Sequence, residues 1–242
     1  MNAPVVVLVF VLMSCLLVGS QPMQPSTTTF ASYLFVLQSP QGVCASTIVC
    51  KGNIPTDFTI HGLWPQDGNN RGVPSYTISN TCSTLQVVSQ AKLKNTLAKS
   101  GNLKLKQQLN QAWPNLKNTN NPNLNEFFWL HEWENHGMCS DYGDNSVVYF
   151  GAAINLRNNV VSVLNFQPRT AYTVDGIANA VYTQLNGRPE VHCVTSRAAN
   201  QKLLGELRLC YKKGNPTPNG IYNCTRFYSG TCNSVQESIT VL

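Results

Sequence analysis

Alternating apolar and polar residues predict two β-strands in the first part of the chain. Residues 33–38 form a β-rich run, and residues 58–64, with the sequence FTIHGLW, follow a two-residue period. In an extended conformation Thr59, His61 and Leu63 would share one face of the second strand. We therefore expect His61 to project from the same side of a sheet as Leu63.

The same two-residue period returns near the end of the chain. Residues 191–195 and 203–211 predict two more strands. In the second of them Glu206, Arg208 and Cys210 occupy one face, and the opposite face is apolar. This pattern predicts a strand that contacts the core on one side only.

Apolar residues at helical spacing fill most of the chain between these strands. Five segments show this spacing: residues 84–99, 103–113, 126–137, 146–165 and 175–185. Helices placed between strands predict an α+β fold, in which several helices pack on an antiparallel central sheet. Because no internal repeat or linker is visible, we expect one domain over residues 21–242.

The first residues differ from the rest in composition. Residues 5–18 are apolar or small, a stretch too short to cross a bilayer comfortably, and small residues follow it. We therefore predict that residues 1–20 are a cleaved signal peptide, that the mature protein is secreted and extracellular, and that it has no membrane segment.

Cysteine content fits an exported protein. The chain has nine cysteines, and Cys15 lies in the predicted signal. An even set remains: Cys44, Cys50, Cys82, Cys139, Cys193, Cys210, Cys224 and Cys232. Such a set in a secreted chain predicts four disulfides, and the absence of a CxxC pair disfavours a zinc ribbon.

The charge balance favours an anionic partner. The chain carries 17 Lys and Arg against 11 Asp and Glu, a net charge of +6, and the predicted signal has no charged residue. Positive charge speeds association with polyanions such as RNA, but many basic secreted proteins bind none. Charge alone therefore assigns no function.

Three of the four histidines lie in two short aromatic-rich segments. His61 belongs to FTIHGLWPQ, and His131 and His136 belong to FFWLHEWENHGMCS. On a helix that turns about 100° per residue, these two histidines, Glu132 and Asn135 would occupy less than half of the circumference. Since the neighbouring residues are aromatic, we interpret this polar face as functional.

Two other kinds of active site fit this sequence less well. A zinc-protease helix has histidines at i and i+4, as in HExxH, whereas His131 and His136 are five residues apart. A serine or cysteine nucleophile is disfavoured because no GxSxG motif is present and the remaining cysteines are even in number. We therefore expect no metal and no cofactor.

A pair of histidines suits the cleavage of RNA, because the substrate carries its own nucleophile, the 2′-hydroxyl. A neutral imidazole accepts the proton of that hydroxyl, and an imidazolium protonates the departing 5′-oxygen. The clustered histidines therefore predict acid–base cleavage of RNA.

The two histidine segments resemble the active-site motifs of the ribonuclease T2 family. This family of secreted endoribonucleases includes the plant self-incompatibility S-RNases and their S-like relatives. The resemblance extends to cysteine spacing and element order over essentially the mature chain. It implies a ribonuclease T2-like fold that cuts single-stranded RNA through a 2′,3′-cyclic phosphate to a 3′-phosphate.

The resemblance also implies roles for the matching residues. His61 would be the general acid for the 5′-oxygen, and His136 would be the general base for the 2′-hydroxyl. His131 would bind phosphate, and Glu132 would stabilise the transition state.

A base-binding pocket is implied at Gln38, Asn115 and Phe128, where Phe128 would stack and the two amides would bind base edges. Phe128 can also be understood as a core residue. We expect Trp64, at the substrate site, and Trp133 to hold the catalytic segments rigid by packing.

Similar disulfide frameworks imply four pairings. These are Cys44 with Cys50, Cys82 with Cys139, Cys193 with Cys232, and Cys210 with Cys224. The second would tie the end of the catalytic helix to the loop after the first motif. His192 lies outside both motifs and is expected to be a structural or surface residue.

One position departs from the family pattern, which normally has Lys immediately before the last histidine of the second motif. This chain has Asn135 there. A cation is missing where negative charge develops, although Asn135 can still donate a hydrogen bond to the substrate. We expect a slower enzyme, by about 10-fold to 10³-fold, if no other cation substitutes.

The resemblance leaves the physiological role open. The positive charge and the sequon Asn223-Cys224-Thr225, with Asn223 as the glycosylation site, favour a style S-RNase that acts as a monomer and is neutralised by a pollen-side recognition protein. The alternatives are an S-like ribonuclease of phosphate scavenging or defence, a catalytically weakened secreted RNA-binding protein, and an unrelated disulfide-rich binding protein.

Overall fold

The computed structural model describes residues 30–46, 48–76, 86–118, 123–214 and 217–242. The predicted signal peptide, residues 1–20, and Cys82 lie outside these residues. Within them, no helix combines the length and the apolar character that crossing a bilayer requires.

The described chain begins and ends with β-strands, and most of its α-helices lie between them. The strands are β1 (Phe30–Gln38), β2 (Thr59–Asp67), β3 (Thr170–Thr173), β4 (Glu190–Thr195), β5 (Lys202–Lys212), β6 (Asn219–Tyr222), β7 (Tyr228–Gly230) and β8 (Ser238–Val241). The α-helices are α1 (Pro40–Ala45), α2 (Gln90–Ala98), α3 (Leu103–Ala112), α4 (Leu124–Asn135), α5 (Ser146–Val161) and α6 (Val174–Leu185).

The centre of the sheet is antiparallel, in the order β2-β1-β5-β4. Strand β7 adds to β4 in the parallel direction, β6 pairs with β5, and β8 pairs with β3 and touches β5. The predicted α+β class with an antiparallel central sheet is therefore confirmed. The parallel pairing of β7 and the three other short strands, β3, β6 and β8, were not predicted, because segments of three or four residues carry too few positions to show a period.

One face of the sheet forms the core with the helices. Along β1 and β5 the pairs Tyr33 with Tyr211, Phe35 with Leu209 and Leu37 with Leu207 are in register, and all six residues belong to the core. Burying one face of each strand is the main favourable term that holds these elements together. The opposite face of β5 is left for Glu206 and Arg208.

Two predicted helices are shorter in the structure. The helix predicted at residues 84–99 begins at Gln90, where the Ser89 side chain accepts a hydrogen bond from the Lys92 amide and caps the first turn. The helix predicted at residues 146–165 ends at Val161, and the amides of residues 162–164 turn back to carbonyls of its last turn.

Helix α1 was not predicted. The prediction took Pro40 only as the end of β1, but Pro40 occupies the first helical position, where its missing N–H costs nothing.

Three of the predicted disulfides are present: Cys44 with Cys50, Cys193 with Cys232, and Cys210 with Cys224. Cys139 is also disulfide-bonded. Its expected partner, Cys82, lies outside the described residues, so the fourth pairing stays a prediction.

Candidate active site

His61 is the extra residue of a β-bulge in β2. On β1, Val36 pairs with Gly62 and Leu37 pairs with Ile60, so that no residue of β1 faces His61. The strict alternation expected for this strand is therefore wrong. A bulge changes the direction of a side chain and is common next to active sites. The indole Nε1 of Trp113 fixes the bulge by donating a 2.9 Å hydrogen bond to the His61 carbonyl.

Helix α4 carries His131 and Glu132, but it ends before His136. The helix was predicted to extend to Gly137, whereas it stops at Asn135, and His136 has the non-helical angles φ −133° and ψ −48°. The chain leaves the helix close to the Trp133 ring, and a Cβ atom at Gly137 would come within 2.3 Å of that ring, so only glycine fits there. The His136 amide still donates a 3.0 Å hydrogen bond to the Glu132 carbonyl, so His136 stays on the side of Glu132 that the helix wheel predicts.

Glu132 is the buried centre of the site. Its side chain is 2 % exposed, and Oε2 accepts a 2.9 Å hydrogen bond from the Trp64 Nε1. His136 Nε2 lies 4.0 Å from the same oxygen. Gly62 makes this arrangement possible, because a Cβ atom there would lie 2.0 Å from the Trp64 Nε1 and 2.2 Å from Glu132 Oε2.

Trp64 brings the two motifs together. Its ring centroid lies 5.1 Å from that of His61, nearly edge-on, and 5.1 Å from that of His136, at an interplanar angle of 30°. The imidazoles predicted as acid and base thus contact the same indole. The predicted role of Trp64, which is to hold the two segments rigid by packing, stays a prediction.

Burial and nearby charges shift the pKa values of His61 and His136 in opposite directions. Burial lowers the pKa of His61, but the hydrogen bond and the charge of Glu206, together with the charge of Glu132, outweigh it and raise that pKa above its usual value. Burial, reinforced by the charges of His131 and His61, lowers the pKa of His136 to about 3. The two shifts therefore favour the imidazolium form of His61 and the neutral imidazole form of His136.

Glu132 and His131 are also shifted. Burial raises the pKa of Glu132 to about 7, although the charge of His61 and the hydrogen bond from Trp64 oppose it. Burial lowers the pKa of His131, and the charges of His61 and Lys117 act in the same direction. The site therefore holds a carboxyl group that changes its protonation near neutral pH.

A cavity of about 460 Å³ opens beside these residues, and all three predicted base-binding residues line it. Gln38 is at the end of β1, Asn115 follows α3, and Phe128 lies half-buried on α4 with its ring 6.0 Å from that of His61. The Asn115 Oδ1 already accepts a hydrogen bond from the Lys117 amide, which leaves its amide NH₂ for a ligand. The cavity also contains His131 and Glu132 in its lining.

Asn135 does not line this cavity. Its Nδ2 donates a 2.8 Å hydrogen bond to the His131 carbonyl and lies 3.1 Å from the His131 Nδ1. Its amide group is therefore bonded within the helix, and its predicted contact with substrate stays a prediction.

Three charged residues at the site were not assigned a role from the sequence. Glu206 Oε1 lies 2.6 Å from the His61 Nδ1, Arg208 binds Glu206, and Lys117 lines the cavity. The sequence did contain one relevant feature, because Glu206 and Arg208 lie on the polar face of β5, whose opposite face is apolar. What the sequence did not show is that β1 alone separates β5 from β2.

His192 lies on β4, half-buried, and its Nδ1 is 2.9 Å from the Ser229 Oγ. Among the described residues, no group of three or more His, Cys, Asp or Glu residues has the geometry to hold a metal ion.

Comparison with known proteins identifies the family of this chain. The model of the Ribonuclease T2 family matches residues 30–224, and the chain belongs to that family. It is an endoribonuclease.

Similar proteins cover most of the chain. Ribonuclease MC of Momordica charantia is 29% identical over 208 residues, which is 81% of this chain and 95% of that protein. The solved structure of ribonuclease MC1 from bitter gourd seeds covers 87% of this chain and 100% of its own, with a TM-score of 0.65 and 26% identity. The structure of the self-incompatibility associated SF11-RNase of Nicotiana alata covers 88% of this chain and 99% of its own, with a TM-score of 0.66. At 22% identity it shows the fold alone.

The names of two relatives from Solanum lycopersicum give different locations. One is extracellular ribonuclease LE, 26% identical over 86% of this chain, and the other is intracellular ribonuclease LX, 25% identical over 94%.

Proposed function

We propose that this endoribonuclease cleaves single-stranded RNA with His136 as general base and His61 as general acid, without a metal. The observation that carries the proposal is the contrast between two imidazoles around Trp64. The pKa of His61 is raised by Glu206, and that of His136 is lowered to about 3 by burial. An acid and a base that work together require opposite protonation states at the same pH.

In the first step the neutral imidazole of His136 takes the proton of the 2′-hydroxyl, and the 2′-oxygen attacks phosphorus. The bond from phosphorus to the 5′-oxygen breaks, and His61 protonates that oxygen. Because the Nδ1 of His61 is bound to Glu206, the Nε2 is the nitrogen that donates. A water then opens the 2′,3′-cyclic phosphate with the two roles exchanged, and a 3′-phosphate leaves.

The other groups stabilise charge and bind the base. We assign Glu132, next to both His136 and Trp64, to the crowded phosphoryl group, and His131 to a phosphate oxygen. Such preorganised groups commonly contribute about 10²- to 10³-fold each. Gln38, Asn115 and Phe128 line the cavity, which we assign to one base of the substrate. The Phe128 ring would stack on the base, and the two amide groups would bind its edge.

The direct test is cleavage of a defined dinucleotide in the presence of EDTA. The parent should form a 2′,3′-cyclic phosphate, and His61→Ala and His136→Ala should each lower kcat by about 10²- to 10⁴-fold. Tyr182→Ala is the control, because it removes an exposed ring on α6 that does not line the cavity and is not part of the proposed chemistry. Full activity of either active-site variant would disprove the assignment, and so would a loss of activity in EDTA.

For the physiological role we propose a secreted, monomeric style S-RNase that recognises a pollen-side protein. The net charge of +6 and an exposed Asn223 in a sequon support it. The Oδ1 of Asn223 accepts the Arg188 amide, and its Nδ2 is the atom that would carry a glycan. Style-specific transcripts and a glycopeptide at Asn223 would agree with this role, whereas induction by phosphate starvation in other tissues would favour an S-like ribonuclease.

A catalytically weakened RNA-binding protein is the second candidate, and Asn135 is the observation that favours it. A weakened RNA-binding protein would bind RNA without forming a cyclic phosphate, so the dinucleotide assay separates this candidate from an active ribonuclease.

A further inference from the structure

Glu206 and Arg208 form a charged pair next to His61, and the sequence assigned neither of them a role. Glu206 is 6 % exposed. Its Oε1 lies 2.6 Å from the His61 Nδ1, on the side of the imidazole opposite the nitrogen proposed to donate. A charge-assisted hydrogen bond of this length is among the stronger ones in proteins.

Arg208 holds the other oxygen of the same carboxylate. Its Nε and Nη2 lie 2.9 Å and 2.8 Å from the Glu206 Oε2, and its Nη1 lies 2.8 Å from the Glu190 Oε1. All three guanidinium nitrogens therefore bind carboxylates. Arg208 is consequently placed to fix Glu206, and it has little remaining capacity to bind a phosphate.

We propose that Glu206, held in place by Arg208, is a positioning residue that orients His61 for proton donation and stabilises its imidazolium form. This inference rests on the proposed role of His61 as general acid. It adds a residue from β5 to the catalytic groups, which the sequence placed in β2, in α4 and directly after α4. Because Glu206 does not face the cavity, it acts through His61 and not on the substrate.

Several charged groups surround His61, and the proposal depends on which one is bonded to it. Glu206 and Arg208 approach from β5, Glu132 and His131 from α4, His136 from the segment after it, and His192 from β4. Among the groups that act on His61, only Glu206 contributes a side-chain hydrogen bond. It therefore fixes which nitrogen of the imidazole is free to donate as well as the charge of the ring.

The test compares two substrates on Glu206→Gln. A dinucleotide needs a proton on its 5′-oxygen as that oxygen leaves, whereas a uridine 3′-(4-nitrophenyl phosphate) releases a stable anion and does not need the acid. On the dinucleotide, kcat should fall by about 10- to 100-fold. On the nitrophenyl ester, kcat should stay within about 3-fold of the parent, since the base step is intact.

The pH profile gives a second readout. In Glu206→Gln the alkaline limb of kcat/KM should move by about one pH unit or more toward lower pH, since the imidazolium has lost its bonded negative charge. Glu206→Asp keeps the charge and should restore much of that limb. An equal loss on both substrates, no loss on either, or an unmoved alkaline limb would overturn the proposal.

Two further variants keep the result interpretable. Arg208→Lys keeps the charge but loses the paired hydrogen bonds to Glu206. Its kcat should fall less than that of Glu206→Gln, and again on the dinucleotide only. This variant tests the proposal even where Glu206→Gln fails to fold. Glu237→Gln is the matched control, because Glu237 is paired with Lys202 at the start of β5 and is not among the groups that act on His61. If His61→Ala cleaves the dinucleotide at the parent rate, the proposed function fails. If His61→Ala is inactive and Glu206→Gln is fully active, only the present inference fails.

Discussion

The indole Nε1 of Trp64 donates a 2.9 Å hydrogen bond to the buried carboxyl group of Glu132. This bond joins the first histidine motif to the second, because Trp64 lies three residues after His61 and Glu132 lies four residues before His136. It also fixes the position of a carboxyl group that burial holds at an unusual pKa, and the first prediction follows from that position.

Glu132→Gln should change the pH dependence of stability. The pKa of Glu132 is raised from 4.5 to about 7 in the folded protein. Between these values the folded form keeps a proton that the unfolded form loses, so this group lowers the stability of the parent as the pH rises from about 4.5 to about 7. The difference in free energy of unfolding between Glu132→Gln and the parent should therefore shift in favour of the variant, by on the order of 3 kcal/mol, between pH 4 and pH 8.

Urea unfolding at both pH values measures this gain. Asp144→Asn, at an exposed position, is the control for the loss of one carboxylate. An identical difference between Glu132→Gln and the parent at pH 4 and pH 8 would contradict the prediction.

The kcat of Glu132→Gln should fall, because the amide cannot replace the carboxyl group at the phosphoryl site.

The residues that the sequence proposed for the site lie close together in the structure, and their roles stay predictions. His61, His131, Glu132 and the cavity residues Gln38, Asn115 and Phe128 were all found from two motifs and their family resemblance. The bulge at His61 was missed, since one inserted residue in a pair of strands leaves no mark on a short hydrophobic pattern. Glu206 was missed for a different reason, because its value to the site depends on strand order, and strand order is a long-range property of the fold.

Asn135→Lys should raise kcat, by about 10-fold to 10³-fold, because it adds a cation at the position next to His136 where negative charge develops. The change also removes the bond from Asn135 to the His131 carbonyl, a cost to the stability of the helix end of about 1 kcal/mol. Steady-state kinetics on a dinucleotide measure the gain. Asn135→Met, which has no donor for that bond and adds no charge, is the control. A kcat for Asn135→Lys at or below that of the parent would refute the role of the missing cation.

Loss of the disulfide between Cys44 and Cys50 should affect substrate binding more than folding. This disulfide closes a separation of only 6 residues, and Val43 and Ile48 beside it line the cavity. The chain-entropy model assigns it about 2 kcal/mol, against about 4 kcal/mol for the bridge of Cys193 and Cys232, which closes 39 residues.

The double substitution Cys44→Ala and Cys50→Ala should therefore raise KM for a dinucleotide several-fold with little change in kcat. Replacing both Cys193 and Cys232 with Ala should lower the midpoint of urea unfolding further. If the two double variants changed KM equally, a specific role of the first disulfide in shaping the cavity would be excluded.

Lys117 is the one Lys or Arg among the residues that line the cavity in the described chain, and its charge acts on His131. Lys117→Ala should weaken binding of single-stranded RNA without changing base preference, since a point charge binds phosphate and not base edges. A plot of log affinity against log salt should become shallower by a little less than one unit, because each neutralised phosphate releases about 0.7 counterion on a single strand. Lys99→Ala, at an exposed position between α2 and α3, is the matched control. An equal change of slope in both variants would mean that Lys117 adds only to the general positive charge of the protein.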